Sequence, residues 1–74
     1  MRHNPKSTIY VVTTVNPDTG ETLYLKDGVW VDSIQDAEIY TATGADSAIA
    51  RVEMHNRQMD PEDRLYPTRE RLFS

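Results

Sequence analysis

A chain of 74 residues without cysteine supports one domain at most, near the lower size for folding without staples, and excludes a disulfide framework and a thiolate metal site. Its apolar runs are too short for a membrane span, and the basic opening Met1 to Lys6 has no apolar stretch behind it, so a soluble intracellular protein is expected. The net charge of −4 divides into an acidic body over 16–63 and two basic ends, a layout that disfavours duplex nucleic acid and favours basic protein surfaces as partners.

Residues 1–7 are polar and contain Pro5, which predicts a mobile arm. From Thr8 to Val15 the run is dense in β-branched and aromatic residues, which suit a pleated surface and are restricted in helices. Ile9, Val11, Thr13 and Val15 fall on one face of that strand, and Tyr10, Val12 and Thr14 on the other. Asn16 to Gly20 reads as a turn, because Pro17 sets φ, Asp18 can bond its own backbone and Gly20 tolerates positive φ. Glu21–Leu25 then pairs back antiparallel. Asp27-Gly28 is a preferred dipeptide for a type I′ hairpin turn, and it leads into a short strand at Val29–Val31. Asp32–Asp36 makes a bend or a single helical turn, and Ala37–Thr41 is expected to return as a fourth strand.

Thr43 with Asp46 three residues later matches a capping box. Beyond it Ala45, Ala48, Ile49, Val52, Asn56 and Met59 recur at helical spacing, and Pro61 ends the pattern, since the residue before proline is pushed out of the α region. The fold class expected is α+β: a small antiparallel β-meander of three to four strands packed against one α-helix. Arm 1–7, body 8–59 and tail 60–74 complete the plan. The expected core is Ile9, Val11, Leu23, Leu25, Trp30, Ile39, Ala48, Ile49 and Val52, with Ile34 beneath the bend. It leaves little room for an internal cavity. Tyr24 and Tyr40 are expected to lean outward. The tail is rich in charge and proline yet holds Leu65, Tyr66, Leu72 and Phe73. Folding back, disorder and ordering on a partner are all open to it, with disorder in the free protein expected.

No motif for catalysis, metal or nucleotide binding stands out. His3 lies on the arm and His55 on the helix, without the converging ligands that a metal site needs, so no metal and no cofactor are expected. Asp32, Asp36 and Glu38 offer carboxylates for acid–base work, but a charged edge that blocks aberrant strand pairing is the expected role. The three glycines stand singly, so no phosphate-cradling loop exists. Arg64, Tyr66, Arg69, Arg71 and Phe73 form a small basic and aromatic group, suited to protein docking or to stacking on single-stranded nucleic acid.

The pattern Tyr-Leu-x-x-Gly-x-Trp, then Ala-x-x-Tyr and a Thr-capped helix, runs from Tyr24 to Ala50. It resembles a broad type of small phage-encoded protein, and the size, acidic body and basic ends resemble host-takeover proteins such as the RNA-polymerase-binding transcription inhibitor and antiterminator of a Xanthomonas lytic phage. The resemblance implies a non-enzymatic regulator that binds host RNA polymerase near the β′-subunit N-terminal region and the RNA exit region. It implies inhibition of promoter-dependent initiation, antitermination, and residence in the cytoplasm of the infected bacterial host. Exposure and charge, not the resemblance, select the expected contacts: Arg2, His3 and Lys6 on the arm; Asp32, Asp36 and Glu38 facing a basic subunit element; and Arg64, Tyr66, Arg69 and Arg71 on the tail. Nascent RNA is a further expected partner, a membrane is not, and the chain is expected to be a monomer. The alternative is another phage antagonist, such as an anti-CRISPR protein occluding a basic nucleic-acid channel.

Overall fold

A computed structural model describes residues 9–73. The expected arm, and with it Arg2, His3 and Lys6, lies outside the described residues. The β-branched run forms strand β1, Ile9–Val15, which pairs antiparallel with β2, Thr22–Lys26, in the register Thr13↔Tyr24, Thr14↔Leu23 and Val15↔Thr22. Their turn is built as its residues dictate: Asn16 Oδ1 accepts the Asp18 N–H at 2.9 Å, and Gly20 sits at φ 76°. β2 pairs with β3, Val29–Val31, across a two-residue turn in which Asp27 (φ 49°) and Gly28 (φ 79°) both take left-handed geometry, the signature of type I′.

Two segments depart from expectation. Ala37–Thr41 is not a strand. It meets the sheet through an isolated bridge, in which Tyr10 and Tyr40 exchange both backbone hydrogen bonds at 2.8 Å, and through the Glu38 N–H, which donates to the Leu25 carbonyl of β2 at 3.1 Å. The place beside the other edge of β1 goes to residues expected to be a disordered tail. Thr68–Phe73 forms β4, antiparallel to β1, and the sheet order is β3-β2-β1-β4. The folded body therefore does not stop at residue 59. Its charge-rich sequence hid this strand, yet an edge strand tolerates charge because one side of its backbone faces solvent.

Helix α1 spans Ala42–Asn56, and its cap is Thr41, whose Oγ1 accepts the Gly44 N–H at 3.1 Å, rather than Thr43. α1 lies across the sheet face bearing Tyr10, Val12, Leu25 and Trp30. The core cluster is Val12, Leu25, Ala45 and Ala48, with Tyr10, Trp30, Tyr40, Ile49 and Val52 half-buried against it. Pairing of Thr14 with Leu23 places Leu23 and Leu25 on the even-numbered face of β1, so Val12 rather than Val11 meets the helix. Val11 is also fully buried, on the opposite face. Ile34 and Ile39, expected inside, are 47% and 51% exposed, because the segment that carries them does not join the sheet. Tyr40, expected to lean outward, packs against the core instead.

After α1 the chain returns under side-chain control. Asn56 is buried at the end of the apolar stripe, and its Nδ2 donates to the Leu65 carbonyl at 2.9 Å. A short 3₁₀ turn at Pro61–Asp63 lies between these two residues. Among the described residues no helix is long and apolar enough to cross a membrane.

Candidate docking cleft

The sequence predicts no cavity, yet a cleft of about 610 Å³ opens between the last turns of α1 and the β2–β3 hairpin. α1 packs chiefly on β1 and β4, and the space between its later turns and the β2–β3 hairpin is left open. Leu25, Trp30, Ala48 and Val52 form the apolar floor, extended by Met59 and Leu65 from the chain after the helix. The polar rim carries Asp27 on the hairpin turn, Glu38 and Tyr40 on the linking segment, Arg51 and His55 on α1, and Asp63 on the 3₁₀ turn.

Glu38 is the best-held of these groups. It is half-buried, and its Oε1 accepts both the Asp27 backbone N–H at 3.0 Å and the Tyr40 hydroxyl at 3.1 Å. One carboxylate thus ties the hairpin turn to the residue that pairs with β1. Partial burial, then the hydrogen bond and the negative charge of Glu38, push the Tyr40 hydroxyl up to about 12, since each opposes a second negative charge there. Tyr40 therefore remains a neutral donor at any physiological pH.

The expected contact residues do not form one patch. Glu38 lines the cleft, whereas Asp32 and Asp36 are exposed and stand outside its lining. Arg64 is half-buried, with its Nε donating to the Met59 carbonyl at 3.1 Å. Arg69 lies over the Tyr10 ring, 4.6 Å from its centroid, and pairs with Asp46 at 3.1 Å. Both arginines serve the fold. Arg71 is exposed and makes no ion pair among the described residues. Tyr66 is 66% exposed and lines a second, more open hollow with Thr13, Pro17 and Arg64. Its carbonyl accepts from Thr14 Oγ1 at 3.0 Å.

Among the described residues no three His, Asp or Glu side chains converge as a group able to hold a metal ion. What the cleft offers chemically is an apolar trough with a fixed carboxylate at its edge. Sequence reading missed Asp27, Arg51, Met59 and Asp63 as site residues because they meet only once the chain after the helix returns. The available signals were Asn56, a polar residue on an apolar stripe, and Leu65, an apolar residue amid charge. No family model, no curated protein and no solved structure matches this chain.

Proposed function

We propose that the chain is a non-enzymatic, phage-encoded regulator that docks on host RNA polymerase in the cytoplasm of the infected bacterium. There it inhibits promoter-dependent initiation and promotes antitermination. The observation that supports a docking role is the cleft: an apolar floor whose rim carries three carboxylates against one guanidinium. Such a surface repels phosphate backbones and suits a protein segment that is partly apolar and partly basic. Polymerase as the owner of that segment rests on the resemblance in size, acidic body and basic ends. The arginines expected to contact RNA support this less, since Arg64 and Arg69 are engaged within the fold.

Transcription from a strong promoter and across a terminator, with purified bacterial RNA polymerase holoenzyme and added protein, tests the reading. Reduced initiation together with increased read-through is expected. Unchanged transcripts at saturating protein would remove polymerase as the partner. Protection of a CRISPR-targeted plasmid in cells would then favour the anti-CRISPR alternative.

A further inference from the structure

We infer that the cleft receives a lysine or arginine side chain of the partner, flanked by apolar residues. The charged head sits at Oε2 of Glu38 and the methylene stem lies along Leu25, Trp30 and Val52. This rests on the docking reading of the cleft, but not on polymerase being the partner.

Glu38 carries the inference. A carboxylate offers about four acceptor positions, and here two donors meet on Oε1. Oε2 accepts no hydrogen bond from the described residues. The carboxylate is already held in place by the Asp27 N–H and the Tyr40 hydroxyl, so an incoming cation has no side chain to order at that point. Arg51 lines the same cleft, yet no ion pair forms between them: Arg69–Asp46 is the only ion pair among the described residues. The internal cation therefore leaves the carboxylate available, and Asp27 and Asp63 tilt the balance of the rim further towards a positive occupant.

The apolar floor selects which cation fits. A compact inorganic cation would gain nothing from Leu25, Trp30 and Val52, whereas long basic side chains bury their methylene stems on apolar surface and keep the charged head in polar surroundings. The indole of Trp30, half-buried on the floor, adds a face on which a guanidinium is attracted. Apolar neighbours of the basic residue fill the trough towards Met59 and Leu65. An acidic peptide meets three carboxylates and is rejected.

Trp30 is the only tryptophan and lines the cleft, so its emission reports occupancy directly. The probes are three short capped peptides, alternating leucine with arginine, leucine with glutamate, and serine with arginine. The leucine–arginine peptide is expected to shift Trp30 emission saturably, and the other two to bind at least about tenfold more weakly. Glu38→Gln keeps an oxygen to accept the Asp27 and Tyr40 bonds while removing the charge, and is expected to weaken binding about tenfold. Arg51→Gln removes a like charge from the occupant's surroundings and is expected to strengthen binding about twofold. Opposite signs for the two variants, each with an unchanged melting temperature, are the supporting result. Equal binding of the leucine–glutamate or serine–arginine peptide, indifference to E38Q, or weaker binding in R51Q would each overturn the inference. Peptide binding that E38Q weakens, beside a polymerase unaffected by the protein, upholds the inference and removes polymerase. Polymerase binding that ignores both substitutions does the reverse.

Discussion

Thr41 and Thr43 compete on paper for the start of the helix, and hydrogen-bond geometry decides between them. The oxygen at Gly44 N–H belongs to Thr41. Thr41→Ala is therefore expected to cost about 1 kcal/mol in urea unfolding and Thr43→Ala less than about 0.5 kcal/mol. The reverse order would move the cap. Asn56 has a larger role for its size, because its amide occupies a buried position and satisfies the Leu65 carbonyl. Asn56→Ala should cost about 1–3 kcal/mol by leaving that carbonyl without a partner; a neutral outcome in the same assay would detach the returning chain from the helix. Tyr40 adds a pH dependence at the alkaline end. Its hydroxyl moves from 10.0 up to about 12 in the folded protein, so the unfolded chain releases this proton first. The contribution is intact below pH 10.0 and is lost as the pH rises towards about 12. The difference in urea midpoint between wild type and Tyr40→Phe should shrink across that interval and stay flat below it.

At the scale of elements, local chemistry decided what could be read from sequence. The β2–β3 hairpin was legible because Asp27-Gly28 leaves few alternatives to its turn, and Gly28→Ala should cost about 1–2 kcal/mol. No atom lies within 4 Å of the added methyl, so the left-handed backbone alone sets that cost. Strand β1 was legible from its β-branched run, but which of its faces meets the helix depends on the register with β2, and a slip of one residue exchanges every side chain between faces. β4 was not legible, since Thr-Arg-Glu-Arg looks like solvated chain until it is paired. Its pairing with β1 predicts that truncation after Pro67 abolishes cooperative unfolding rather than merely trimming a tail. A truncated chain that retains the wild-type urea transition would show β4 to be dispensable. For the same reason, loss of partner binding on deleting the C-terminal residues cannot by itself identify them as contacts.

For the molecule as a whole, the charge layout was visible in the sequence but the cleft was not. It assembles from Leu25, Glu38, the later turns of α1 and Leu65, segments that meet only because α1 packs chiefly on β1 and β4 and the chain after it returns to β4. Carboxylates that read as a uniform edge separate in space into Glu38, held by two donors, and Asp32 and Asp36, which are exposed and outside the cleft. The tail arginines likewise separate into two that brace the fold and Arg71, which is exposed. The described residues thus form a four-stranded sheet and helix with an acid-rimmed trough between them, the trough proposed above as the docking site. The most direct test is the fluorescence anisotropy of labelled wild-type and E38Q protein titrated with purified bacterial RNA polymerase holoenzyme. Saturable binding by the wild type, about tenfold weaker in E38Q, is the predicted result. Absence of saturable binding, or identical curves for the two proteins, would contradict it.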